Sequence, residues 1–292
     1  MKIAIHGKNL TPDVVDCIDT LFATLHQYGT EIYISRTYYK NITEHHHVNT
    51  GKVELFKRGD DLREIDFFFS LGGDGTLLES VTYVGRSEVP IVGINTGRLG
   101  FLATSSKENI KKVIEGIYND YFTIENRSLV TLDTDKPLFE GLNFALNEFT
   151  ILKKDSSSMI VVHTFINGEY LNSYWSDGLI IATPTGSTGY SLSCGGPLIL
   201  PQANNFVITP VSPHNLNVRP MVVPDSSVIS FEIEGRSKSF LVSLDSRSNS
   251  VDASIQMAVR KSNFHAKLVK FHGYNFLDTL RQKLNWGLDM RN

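Results

Sequence analysis

The sequence predicts a molecule in two parts: an α/β part with a parallel sheet, then a mainly β part, closed by a C-terminal helix. Three observations carry this. A chain of 292 residues with 41% apolar and 20% charged residues is long enough for about two domains and a sizeable core. Strand and helix signals alternate through residue 120, the pattern of a parallel sheet covered on both faces. Beyond Tyr121 the apolar segments turn strand-like, rich in β-branched and aromatic residues between turn residues. The expected boundaries are 1–120 for the α/β domain, 121–272 for the β domain and 273–292 for the helix, packed back on the first domain.

Taken in order, Ile3 to Ile5 make a short buried strand. Thr11 as cap and Pro12 at the first helical position open a helix, in which Val14, Val15, Ile18, Leu21, Phe22 and Leu25 recur at helical spacing until Gly29. EIYIS (31–35) is a strand, and so is Phe67–Leu71; after the glycine turn TLLESVTYV (76–84) is a helix. IVGI (91–94) follows Pro90 as the next strand, and KENIKKVIEGIYND (107–120) is a helix. In the second part the strand-like segments are SLVTLD, FALNEFTILK, MIVVHTFI, GLIIAT, VISFEIE, SFLVSL, IQMAVRK and FHAKLVKF. Asn167-Gly168, between alternating segments, is a strong hairpin signal. At the end Asn275 can cap a helix, with Asp278 three residues on as in a capping box and Leu277, Leu280 and Leu284 as its stripe.

Bulk composition narrows the classes. The net charge is −3 without a Lys/Arg block, so neither nucleic acid nor an anionic membrane is an expected partner. No window approaches 18 consecutive apolar residues, and the start MKIAIHGK has too short an apolar part for a signal peptide. A cytoplasmic protein is expected. Cys17 and Cys194 fall in different expected domains, which argues against a structural disulfide.

The chemistry concentrates in a few stretches. In DFFFSLGGDGTLLESV (66–81) a glycine turn joins an apolar strand to a helix, a place where N–H groups and the helix dipole attract phosphate. Asp74 stands in the middle of it. At about 4 Å and an effective dielectric near 20, a phosphate would meet roughly 4 kcal/mol of repulsion per pair of unit charges. Either the carboxylate merely complements the helix dipole in a tight turn, or it acts beside a phosphate. The turn lies at the carboxyl end of a sheet strand, where ligands bind in such folds, and this favours the second reading.

GLIIATPTGSTGYSLSCGGP (178–197) runs from a strand into small and hydroxyl residues, suited to close approach of a ligand. It contains neither a Gly-Lys-Ser/Thr phosphate loop nor Gly-x-Ser-x-Gly. Asn147-Glu148 and Asp177 lie among apolar neighbours; each alone reads as a solvent-facing position, and together they suit ribose hydroxyls and base edges. EHHHV (44–48) reads as a solvated loop, because consecutive histidines diverge.

GGDGT (72–76), GINTGRLGFL (93–102), Asn147-Glu148, DGLIIATPTGSTGYSLSCGGP (177–197) and HNLNVRPMVVP (214–224), in this order and with the terminal LRQKLNW (280–286), resemble the NAD kinase family over nearly the whole chain. GGDGT alone is shared with lipid kinases and, in related form, phosphofructokinases; the Thr-Pro-Thr-Gly-Ser-Thr segment is far more specific. The resemblance implies a Rossmann-like α/β domain and a β-sandwich-like domain with the dinucleotide between them. It implies transfer of the γ-phosphoryl of ATP, or of another donor such as polyphosphate, to the 2′-hydroxyl of the adenosine ribose of NAD, giving NADP. A divalent metal such as Mg²⁺ accompanies ATP, and a homo-oligomer, dimer or tetramer, is expected.

By position, Asp74 would be the general base, with Gly72, Gly73 and Thr76 at the phosphates. Gly75, Phe101, Asn147, Glu148, Asp177, Thr188, Gly189, Tyr190 and Ser193 would line the NAD pocket, Asn147 and Glu148 toward adenosine and Asp177 toward the nicotinamide riboside. No metal ligand is assigned. The chain departs from the family at Gly189, usually Ala, at Trp175, often basic, and at Arg247, usually Gln. A lipid kinase and a non-catalytic dinucleotide sensor are the rival readings, separable by assaying NADP after incubation with NAD, Mg²⁺ and ATP.

Overall fold

The computed structural model describes residues 1–8, 12–46, 48–98, 100–154, 158–237, 239–273 and 275–285. Thr11, expected to cap the first helix, lies outside the described residues, as do His47 of the histidine run and Trp286 of the terminal motif. The chain forms two units, one made by Met1–Asn126 with the segment from Ala266 onward, the other by Arg127–His265.

In the first unit the elements run β1 (Lys2–Gly7), α1 (Pro12–Gln27), β2 (Glu31–Ser35), α2 (Arg36–His46), β3 (Glu54–Phe56), β4 (Phe67–Leu71), α3 (Asp74–Val84), β5 (Ile91–Asn95), β6 (Ser105–Ser106), α4 (Ile110–Tyr118) and β7 (Phe122–Arg127). The sheet order is β3-β2-β1-β4-β5, and every pairing in this run is parallel. Strand alternation explains how the sheet is covered. Ile3, Ile5, Phe69, Val92 and Ile94 pack with α1 and α4 in one core cluster. Successive residues point the other way, so Ser70 meets Ser80 of α3 and Phe68 lies near Tyr83. The chain leaves β1 toward β2 and β3, then returns to lay β4 on the other side of β1. That reversal is the topological switch point, and Gly72 to Thr76 begin where β4 ends at it.

The second unit continues with β8 (Val130–Thr134), β9 (Phe144–Ala145), β10 (Glu148–Lys153), β11 (Ile160–Ile166), β12 (Glu169–Ser176), β13 (Gly178–Ala182), the short α5 (Tyr190–Ser193), β14 (Asn205–Val211), β15 (Met221–Pro224), β16 (Ile229–Glu234), β17 (Phe240–Leu244), β18 (Arg247–Val251) and β19 (Met257–Lys261). These strands form two six-stranded sheets, β15-β14-β13-β10-β17-β18 and β12-β11-β16-β19-β8-β9. One apolar cluster draws Phe149, Ile181, Phe206 and Val242 from the first sheet and Val130, Val162, Phe231 and Val259 from the second, which makes a sandwich. Asn167 and Gly168 both take positive φ, 52° and 84°, in the two-residue turn between β11 and β12, as the Asn-Gly signal requires.

The first unit's sheet also takes in β7 and β20 (Ala266–Phe271), in the order β5-β20-β7. Both fall within the stretch that strand composition assigned to the β half. Composition marks a strand but says nothing of the sheet in which it pairs. The last helix, α6 (Phe276–Leu284), is capped by Asn275, whose side chain accepts from the Leu277 amide at 2.9 Å. Asp278 pairs with Arg281 rather than completing a capping box. Thr279 and Leu280 are buried while Leu277 and Leu284 are exposed, so the buried face is narrower than the expected stripe. The EHHHV run is also corrected, since Glu44 to His46 end α2 instead of forming a loop. Among the described residues no three His, Cys, Asp or Glu side chains converge as metal ligands would.

Candidate active site

Asp74 is the first residue of α3, with Gly73 as an extended N-cap. Its half-buried carboxylate is clasped by the loop after β5. Oδ2 accepts from the Phe101 amide at 2.8 Å, and Oδ1 from the amides of Leu102 and Ala103 at 3.0 and 3.1 Å. Asn95 shapes that loop: its Oδ1 accepts from the Gly97 amide at 2.7 Å and its Nδ2 donates to the Arg98 carbonyl at 2.7 Å. The buried Lys270 of β20 supports it as well, its Nζ 3.5 Å from the Leu102 carbonyl and from Thr104 Oγ1. A Cβ at Gly100 would occupy the place of Asp74 Oδ1, so only glycine lets the loop close on the carboxylate. GGDGT and GINTGRLGFL therefore fold as one device. A carboxylate offers about four lone-pair sites; three are used here, and Oδ2 keeps one for another donor.

Gly72 follows β4 with φ +154°, and a Cβ there would run into Thr76. Thr76 is buried, whereas Gly73 and Gly75 leave open space at the helix start. The ring of Phe101 lies 6.4 Å from that of Phe276, so α6 packs beside the clasping loop.

In the second unit Asn147-Glu148 and the Thr183–Tyr190 loop come together. The Thr183 amide donates to the Asn147 carbonyl at 2.8 Å, and Thr183 Oγ1 donates to the Leu146 carbonyl at 2.6 Å. Gly186 packs so close to Asn147 that a Cβ would collide with the Asn147 carbonyl. The loop hydroxyls, expected to meet a ligand, are in good part spent on the fold. Ser187 donates to the Pro184 carbonyl at 2.7 Å, Thr188 to the Thr185 carbonyl at 3.2 Å, and Ser191 bonds Thr209 at 2.8 Å. A loop this tight must satisfy its own carbonyls.

The groups left without partners are Asn147 Oδ1 and Glu148 Oε2, both buried. Burial pushes the Glu148 carboxyl up to about 8, the Asp245 carboxylate adds to this, and the Tyr190 amide draws it back. At Gly189 an added Cβ would stand 2.9 Å from Glu148 Oε2 and 3.6 Å from Asn147 Nδ2. The departure from Ala therefore removes a methyl group that would stand against these two side chains. Tyr190 and Ser193 are exposed on α5. The Tyr190 phenol is raised by burial, then by Cys194 and Asp177, so Asp177 lies within electrostatic reach of it. Asp177 itself pairs with Lys153 at 2.5 Å.

Trp175 is exposed on the edge strand β12. Arg247 donates to the carbonyls of Leu142 and Phe144 and lies over the rings of Phe139 and Phe144. Sequence reasoning missed Asp245, half-buried in the turn before Arg247 and bonded to the amides of residues 146–148. In the sequence it reads as an ordinary turn aspartate, just after the apolar FLVSL strand.

A carboxylate set among glycines at a topological switch point marks the ligand-binding end of the α/β sheet, and the unpartnered oxygens of Asn147 and Glu148 in the β unit offer acceptors to a polar ligand. Family models described as ATP-NAD kinase N-terminal domain and ATP-NAD kinase C-terminal domain match residues 15–122 and 146–271. The NAD kinase of Cytophaga hutchinsonii is 50% identical over 292 residues, all of both chains, and that of Flavobacterium psychrophilum 44% identical over 294 aligned positions, again all of both. Among solved structures, yeast NADH kinase complexed with NADH shares the fold, with TM-score 0.85 at 24% identity over 99% of this chain and 89% of that one. An NAD kinase from Archaeoglobus fulgidus in complex with ATP has TM-score 0.76 and 28% identity over 98% of this chain and 99% of that one. The chain belongs to the NAD kinase family, and it is an enzyme that phosphorylates NAD.

Proposed function

We propose that the chain transfers the γ-phosphoryl group of ATP to the 2′-hydroxyl of the adenosine ribose of NAD, with Asp74 as general base. The observation that carries the assignment of the base is the fixed Asp74 carboxylate with one lone pair of Oδ2 uncommitted. A ribose hydroxyl is a poor nucleophile, and positioning with electrostatics does most of the work in phosphoryl transfer. The 2′-oxygen forms a bond to the γ-phosphorus as the bond from that phosphorus to the β–γ bridging oxygen breaks. The hydroxyl proton passes to Asp74 Oδ2, and ADP leaves with the electron pair of the broken bond. ATP as donor is supported by the Archaeoglobus fulgidus relative, which is in complex with it.

Gly72, Gly73 and Thr76 lie beside the donor phosphates, where the open helix start supplies N–H groups. In the second unit Asn147 and Glu148 hold the adenosine part, their unpartnered oxygens supporting this, and Asp177, Thr188, Gly189, Tyr190 and Ser193 contact the rest of the dinucleotide; in the first unit Gly75 and Phe101 contact it. A divalent ion bound with ATP would lower the charge that Asp74 faces. We place the reaction in the cytoplasm and in a homo-oligomer, dimer or tetramer; exposed Trp175 on β12 and Met221 and Val222 on β15 support association through strand edges.

Purified protein with NAD, Mg²⁺ and ATP should form NADP. Asp74→Asn should retain the wild-type KM for NAD and lose roughly 10²–10⁴-fold in kcat. An unchanged kcat in that variant would remove Asp74 as the base.

A further inference from the structure

Consecutive residues of an extended strand point to opposite faces, so Asn147 and Glu148 should not reach the same place. Yet both side chains meet at Gly189, whose missing Cβ would stand 2.9 Å from Glu148 Oε2 and 3.6 Å from Asn147 Nδ2. The backbone achieves this by bending at residues 146 and 147, between β9 and β10. At the bend three successive amides turn to one side and converge on the Asp245 carboxylate, from Leu146 at 2.9 Å, Asn147 at 2.8 Å and Glu148 at 3.2 Å. Successive N–H groups converging in this way make an anion nest, here filled by the protein's own carboxylate. The grip is mutual, because the Asp245 amide donates back to the Glu148 carbonyl at 3.0 Å.

The β17–β18 turn needs at this position only a residue that tolerates positive φ, which Asn or Gly would also supply. Asp245 takes φ 53°, a conformation glycine adopts more readily, and burial raises its carboxyl while the three amides and the Arg247 charge draw it back. We propose that Asp245 is a positioning residue for the dinucleotide: its carboxyl is the acceptor around which residues 146–148 bend, so that the Asn147 amide and the Glu148 carboxyl converge at Gly189 and together serve the hydroxyls of one ribose. Resting on the NAD reading of the pocket, this assigns Asp245 no contact with the substrate.

Two variants of the full chain test it. Asp245→Asn keeps the shape and one acceptor oxygen, and Asp245→Gly accommodates the positive φ while removing the carboxylate. Both should fold, with the KM for NAD and the calorimetric Kd for NAD raised tenfold or more, kcat within threefold of wild type and the KM for ATP unchanged. Folded variants that bind NAD like the wild type would overturn the proposal, and so would failure of both to fold, which assigns Asp245 to the stability of its unit. Absence of NADP formation by the wild type refutes the proposed reaction instead, and the NAD Kd of the variants still decides the role of Asp245.

Discussion

Gly100 and Asp74 lie 26 positions apart in sequence, yet neither can be understood without the other. The carboxylate is held by amides that reach it only because residue 100 has no side chain. Gly100→Ala should therefore push the clasping loop off Asp74 while leaving the second unit untouched. Displacements of about 1 Å at a reacting group can cost 10²-fold. Steady-state kinetics should show kcat reduced on that order with the NAD KM little changed, and wild-type turnover would mean that the loop does not orient the base. At this scale Asp74 was legible, because one acid among three glycines is poorly explained by turn chemistry. Asp245 was not, because its function lies in amides about a hundred positions away.

Elements with local signals were legible too. The Asn167-Gly168 turn and the Asn275 cap both depend on interactions within a few residues, and both form as read. Replacing Asn275 by Ala should cost about 1 kcal/mol, the usual worth of an N-cap. Thermal melts should show a drop of a few degrees in Tm with activity retained; an unchanged Tm would mean that packing of Phe276 and Leu280 alone holds α6. Elements without such signals escaped, among them β14, which carries Pro210, and the three-residue β3. The hydroxyl-rich loop was found, although its hydroxyls serve mainly to fold it, since sequence cannot show which acceptors a hydroxyl will meet.

Across the whole molecule two acids should give stability opposite slopes with pH. Glu148 holds its proton up to about 8 when folded, whereas an unfolded Glu releases it near 4.5. Its contribution is complete below about 4.5 and is lost as pH rises toward 8. Glu79, on α3, faces the His6 ring and ion-pairs with Lys8, which hold its carboxyl down to about 2. That contribution is present above about 4.5 and is lost as pH falls toward 2. Urea midpoints across pH should show Glu148→Gln flattening the decline between about 5 and 8, and Glu79→Gln flattening the decline below about 4.5. Parallel curves for wild type and either variant would discount that group.

By itself the sequence determined the two architectural parts, the glycine turn with its acid, and the family, because periodicity, turn residues and short motifs are written in neighbouring positions. Only the tertiary structure decided that β7 and β20 belong to the first sheet, that residues 101–103 clasp Asp74, and that Asp245 bends residues 146–148. Each of these joins segments distant along the chain, and hydrogen bonds and packing between such segments are settled by the fold of the backbone rather than by any local pattern of residues.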